Sequence, residues 1–278
     1  MRLLPLIVLL LAPACAGAQS AAPATVESAY RAALLRSPTP LSLRRDQAEY
    51  LRERAQTTDA AFRELSDETR LGRLLRAAEV DLQATTAAAT LEEAVAGCLD
   101  LGAINGCDAG QGGWLTAPDG QRLFWQIQTG STGEDGITSG ILLFTEKSGR
   151  LEPVAWAWQG SSYSAPVLFD AEGDLYVAVP GLTFGGRGDA DLIFRWAPGA
   201  EQPLTQIDSW SWRDQITEKL PGLNAFGRVR IDYPEMIALT EMFREGDAGC
   251  CGTGGHALIG FAIEGDKLVV SDARLRDQ

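Results

Sequence analysis

Cysteine is the residue type whose spacing constrains chemistry most in this 278-residue chain. Behind a leader that carries Cys15, four cysteines remain: Cys98, Cys107, Cys250 and Cys251, which allow three pairings. Cys98 and Cys107 enclose a glycine-containing turn, and closing a ring of that size stabilises by about 3 kcal/mol on the chain-entropy argument. Adjacent Cys250 and Cys251 pair only under strain, because neighbouring α-carbons lie about 3.8 Å apart, below the usual disulfide range. Either that vicinal bond forms, or both cysteines reach back to the first pair. The short loop favours Cys98 with Cys107, which leaves Cys250 to Cys251, where Gly249 and Gly252 relieve the backbone. Cys-x-x-Cys spacing, the mark of a redox-active pair, is absent. The expectation is a structural disulfide framework with no free thiol.

His256 is the only histidine. As a base for Cys251 it lacks an obvious orienting carboxylate. With Cys250 and Cys251 it makes too few zinc ligands, at unworkable spacing. No catalytic residue, metal site or cofactor is assigned. Gly185-Gly186-Arg187-Gly188 does not join a strand to a helix, so it reads as a loop and not as a phosphate cradle. Asp189 and Asp191 read as turn residues, with calcium contact as the alternative.

Tryptophan offers a binding chemistry. Trp156/Trp158 and Trp210/Trp212 are each spaced by two, which on a strand puts both rings of a pair on one face. An exposed pair stacks against sugar rings or another apolar ligand. Glu152, Asp208 and Asp214 lie close in sequence, so paired-acid glycan hydrolysis is a second use. The plainer alternative is that a pair fills the core of a sheet.

Two kinds of element must position these residues. Residues 26–89 are poor in Gly and Pro, and Val26, Tyr30, Ala33 and Leu34 mark one face of a helix. Ser37-Pro38-Thr39-Pro40 ends it and starts the next near Leu41. Leu43, Gln47, Tyr50 and Arg54 follow at helical spacing, then Phe62 and Leu65. Ser66-Asp67 reads as a break before a third stripe of Leu71, Leu74, Leu75, Ala78 and Leu82. Thr90 with Glu93 forms a capping box for a short helix ending near Gly97.

Past Cys98, short apolar runs alternate with turns. The runs cover 114–116 with 123–127 as a hairpin, then 140–144, 153–158, 165–169, 175–179, 192–196, 229–231, 237–243, 258–263 and 268–270. One short helix is expected over 212–219. The predicted class is α+β: a helical hairpin over 19–97, then an antiparallel all-β domain over 98–278. That domain is expected to be sandwich-like, with a propeller-like sheet as the alternative.

Residues 1–18 read as a signal peptide: Arg2, an apolar run from Leu3 to Ala14, then Ala16-Gly17-Ala18 before a cut at Gln19. The run is too short for a bilayer core of about 30 Å, so no transmembrane segment is expected in the mature chain. The expected location is the periplasm or outside the cell, with a lipoprotein acylated at Cys15 as the alternative. A formal charge of −13 disfavours nucleic acid and anionic lipid and favours basic partners.

The stretch Gln47-Ala48-Glu49-Tyr50-Leu51-Arg52-Glu53-Arg54, in a charged helical hairpin after a signal peptide, resembles the helical domain of the LprI-like lysozyme-inhibitor family. The likeness covers roughly residues 26–85. It departs in having Tyr50 where Trp is common and in lacking the cysteines that staple that hairpin. Gly246-Asp247-Ala248-Gly249-Cys250-Cys251, followed by Thr253-Gly254-Gly255 and a strand, resembles a turn in bacterial envelope proteins of unknown role. The resemblance implies a periplasmic interaction protein that holds a cationic envelope protein such as lysozyme. A glycan-binding or glycan-processing protein is the competing expectation.

Overall fold

The computed structural model describes residues 25–99, 101–158, 160, 162–183 and 188–276. The expected signal peptide, Cys15 and residues 185–187 lie outside the described residues.

Helices come first in the chain. Helix α1 (Val26–Leu34) opens on a Thr25/Ser28 capping box, and α2 (Pro40–Gln56) starts on the proline expected to break the chain. Helix α3 (Ala60–Ala84) runs unbroken through Ser66-Asp67, against expectation. The break lies earlier, because the Asp59 carboxylate accepts the amides of Ala61 and Phe62 at 2.8 and 3.2 Å and caps α3 there. Asp67 is instead a mid-helix contact: it accepts from Tyr50 (2.6 Å) and Arg54 (2.6 and 2.9 Å) on α2.

Ala29, Ala33, Leu43 and Leu74 form a small core among these helices. The buried face of α3 is Arg70, Leu74, Val80, Asp81 and Ala84. Leu75 and Leu82 of the expected stripe are half exposed, as are Phe62 and Leu65. Helix α4 (Leu91–Ala96) carries the expected Thr90/Glu93 capping box. Its last carbonyls are satisfied from the sheet: Gln126 Nε2 donates to Ala94 O (2.6 Å) and Gly97 O (2.9 Å).

Three antiparallel meanders make the rest. The first sheet is β1 (Asn105–Thr116), β2 (Arg122–Thr132), β3 (Gly136–Lys147) and β4 (Arg150–Ala157), in that spatial order. The second has the order β10-β9-β7-β6, from β6 (Val167–Ala171), β7 (Asp174–Val179), β9 (Leu192–Trp196) and β10 (Leu204–Ile207). The third is β11 (Ile237–Glu241), β12 (His256–Glu264) and β13 (Lys267–Leu275). Two residues each of β5 (Ser162–Tyr163) and β8 (Gly181–Leu182) pair separately, and α5 (Trp212–Lys219) follows β10 as expected.

Alternation along the strands shows how the sheets stack. On β3, Ile141 and Leu143 face one core while Leu142 and Phe144 face another. On β7, Val177 and Val179 join the first of these cores, and Tyr176 and Ala178 join a third. A continuous apolar run is what a strand buried on both faces requires. The layers therefore run from α3 and α4, through the first and second sheets, to the third sheet with α5. The fold is α+β with a mostly β body, and its sheets are layered as in a sandwich.

The strand expected over 229–231 is absent. The Val229 amide donates to both oxygens of Asp189 at 3.1 Å, so this segment is held by a carboxylate and not by a ladder partner.

Candidate functional site

A cleft of about 620 Å³ opens where α2 and α3 cross the ends of the first two sheets. Two sets of bonds hold the helices over it. At one end Leu41 N donates to Gln206 Oε1 (2.8 Å), and Gln206 Nε2 donates to Ser42 Oγ (2.7 Å), tying α2 to β10. At the other end Arg73 bonds Asp135 (2.8 Å) and Arg76 bonds Glu134, tying α3 to the β2–β3 turn. The cleft lies between these two sets of bonds.

The lining mixes aromatic and charged side chains: Tyr50, Phe62, Trp158 and Trp210 with Arg45, Asp46, Arg70 and Asp189 among others. Each tryptophan pair contributes one ring. The partners of these rings are structural. Trp156 is buried and donates its indole N–H to Asp81 at 2.8 Å, and Trp212 is fully buried in the third core. Trp210 and Trp212 do not share a strand face, because Trp212 is the first residue of α5 and Trp210 lies in the loop before it. The Arg213 guanidinium sits over both rings, 3.9 Å from the Trp210 centroid and 4.3 Å from that of Trp212. Arg45 is 5.2 Å from the Trp210 centroid.

Trp158 lies beyond the end of β4, against Gly140 of β3. A Cβ at Gly140 would overlap its indole nitrogen, so this close approach requires glycine.

Beneath the cleft, Asp189 and Asp191 form a buried acidic pair and not the expected turn. Asp189 is ion-paired with Arg213 and accepts the Val229 amide. Asp191 accepts from Gly181 N (2.7 Å) and from the Tyr233 hydroxyl (2.5 Å). Burial pushes the Asp189 carboxyl up and the Arg213 guanidinium down, so loss of water outweighs their mutual attraction in setting both. Burial likewise pushes Asp191 up to about 6, against the pull of the Tyr233 and Gly181 donors. These oxygens are taken by protein donors. The pair is a clamp joining β8, β9, α5 and the loop at Val229, and not a turn.

Most of the carboxylates that line the cleft are bound to arginine: Asp46 to Arg45 (2.8 Å), Asp135 to Arg73 and Asp189 to Arg213, while Glu53 has no ion pair among the described residues. Glu49 has Arg52 at 3.3 Å. Of the acids near the tryptophans in sequence, Asp208 is committed to the amides of Trp210 (2.9 Å) and Ser211 (3.0 Å), which help hold it below its ordinary range against burial. Glu152 pairs with Lys147 at 3.6 Å, and Asp214 is exposed on the first turn of α5. This arrangement suits recognition by ion pairs and hydrogen bonds. Among the described residues of the lining only the Glu53 carboxyl is without an ion pair, whereas glycan hydrolysis uses two facing carboxyls.

No protein-family model matches this chain, and no curated protein matches it. The residues that carry the LprI-like resemblance have a plain role here. Gln47, Tyr50 and Arg54 all join α2 to α3: Gln47 accepts from Arg70 at 2.9 Å, and the other two hold Asp67.

The cysteines lie elsewhere. Cys98 and Cys107 form a disulfide with α-carbons 6.0 Å apart, inside the usual range. Cys250 and Cys251, expected as a second bond, are two exposed thiols whose sulfurs lie 2.7 Å apart. Their turn is built by Asp247, which accepts from Arg244 N (2.7 Å), Thr253 N (2.8 Å) and the Thr253 hydroxyl (2.9 Å). That network shapes the turn that sets the two sulfurs side by side, where a second disulfide was expected. His256 is exposed as the first residue of β12.

Proposed function

We propose that this is a non-catalytic binding protein of the cell envelope whose ligand is a glycan held in the cleft between the helices and the sheets. The observation that carries the reading is the convergence of Trp158 and Trp210 in one cleft with Arg45, Asp46 and Arg70. Aromatic faces and charged hydrogen-bonding groups together are what a sugar ring with its hydroxyls needs. Ion pairing of four of the five cleft carboxylates favours binding over hydrolysis.

Titration of intrinsic tryptophan fluorescence with neutral and acidic oligosaccharides tests this. Binding without release of reducing ends is expected, and Trp158→Ala should weaken it about tenfold, which is about 1.4 kcal/mol. Release of reducing ends at a steady rate overturns the non-catalytic part. Envelope protein should carry an N-terminus at or near Gln19, and an acylated Cys15 would mark a lipoprotein instead.

A second reading rests on the formal charge of −13 and the likeness of residues 26–85: capture of a basic protein such as lysozyme. Its signature is affinity that falls steeply as added salt brings the screening length to about 8 Å. Failure to bind lysozyme at low salt removes it.

A further inference from the structure

Resting on the glycan reading of the cleft, we infer that the ligand carries an anionic group, a carboxylate above all, which Arg70 receives. Arg70 is unlike the other arginines of the cleft. Arg45 has Asp46, Arg73 has Asp135 and Arg76 has Glu134. Arg70 is 6% exposed and bonds through Nε to the neutral Gln47 amide at 2.9 Å, while its Nη2 has no hydrogen-bond partner among the described residues. The acid whose charge bears on it, Asp46, is already engaged by Arg45.

A buried guanidinium with neither counter-charge nor a full set of acceptors is costly, and proteins ordinarily pair such a group. Folding does not do so here, although three neighbouring arginines in the same wall are each given a carboxylate. The planar fork of guanidinium matches the two oxygens of a carboxylate, so a ligand with that group completes what the fold leaves open. Gln47 holds the fork in place from behind. Burial pushes the Arg70 pKa below its ordinary value, as expected of a cation whose compensation is missing. Trp158 and Tyr50, in the same lining, supply apolar surface for the rest of the ligand.

The test compares trigalacturonate, its full methyl ester and inorganic phosphate by calorimetric titration of the full chain. The two oligosaccharides share rings and hydroxyls and differ in charge. Trigalacturonate should bind at least about tenfold more tightly than the ester, and Arg70→Met should bring the ratio close to one by weakening trigalacturonate far more than the ester. Arg70→Lys, which keeps the charge but loses the fork, should give an intermediate ratio. Equal affinity of wild type for the two oligosaccharides overturns the inference and leaves the glycan reading standing. Phosphate binding that Arg70→Met abolishes, with neither oligosaccharide bound, supports the anion site and overturns the glycan reading. No binding of any of the three overturns both. The wild-type ratio is decisive by itself if the buried variants fold poorly.

Discussion

The indole nitrogen of Trp156 on β4 donates to Asp81 on α3 at 2.8 Å, inside the core that the helices share with the first sheet. The other oxygen, Asp81 Oδ2, is buried without a partner, and burial pushes the carboxyl up to about 6. An unfolded aspartate titrates near about 3.9. Between those values the folded state binds the additional proton, so this group makes stability fall as pH rises from about 4 to 6. Asp81→Asn keeps an acceptor for Trp156 and carries no charge. It should flatten part of that slope and raise stability at pH 7 by about 2 kcal/mol. Asp191, also raised to about 6, keeps its own share. Urea melts at pH 4.5 and 7 measure the difference, and an unchanged slope would show that Asp81 is not the titrating group.

Asp189 and Arg213 should behave as one unit. Asp189→Ala strands a buried guanidinium and frees the Val229 amide, and is expected to cost about 3 kcal/mol. In an Arg213→Met background the same change should cost less, because the unpaired charge is gone. A double-mutant cycle by denaturant melts reads the coupling, and strictly additive costs would refute it.

Gly140 is a seat for Trp158. Gly140→Ala places a methyl group where the indole lies, and overpacking of this kind costs about 1–3 kcal/mol. Trp158→Ala in that background should recover much of the loss. Thermal melts of the three variants decide it, and an unaffected Gly140→Ala would mean that the indole moves freely.

The two cysteine pairs should differ in accessibility and lability. Cys250 and Cys251 are exposed, so alkylation of the native protein should label both and leave Cys98 and Cys107 bonded. A small disulfide oxidant should close the adjacent pair, with two hydrogens lost to the oxidant, and strain should let that bond be reduced first. Peptide mapping without reductant checks this. A crosslink between Cys98 and Cys250 would contradict the framework.

Much of the layered body is legible in the residues themselves. The runs Ile141-Leu142-Leu143-Phe144 and Leu192-Ile193-Phe194 demand burial on both faces, and each strand occurs where its run lies. Local chemistry places the Thr90/Glu93 cap, the helix at Trp212–Lys219 and the Cys98–Cys107 pair with equal economy. These features depend on neighbours in sequence, which periodicity and spacing report directly.

The cleft is a different matter. Nothing near Arg70 in sequence shows that this arginine turns inward with Leu74 and Asp81 while Leu75 and Leu82 turn out, because that depends on which sheet α3 meets. Trp210 and Trp212 share a spacing with Trp156 and Trp158, but a strand ends within one pair and a helix begins within the other. Asp189 stands between Gly188 and Ala190 and Asp191 between Ala190 and Leu192, like turn residues after a glycine-rich loop. Their partners Arg213, Val229 and Tyr233 lie 24 to 42 positions away. By itself, then, the sequence determined most of the elements and their order, because local sterics and hydrophobic pattern suffice for those. Which charged groups are paired, which arginine is left without a carboxylate and which tryptophans line the cleft were decided by tertiary packing alone, since desolvation and ion pairing depend on residues that only the fold brings together.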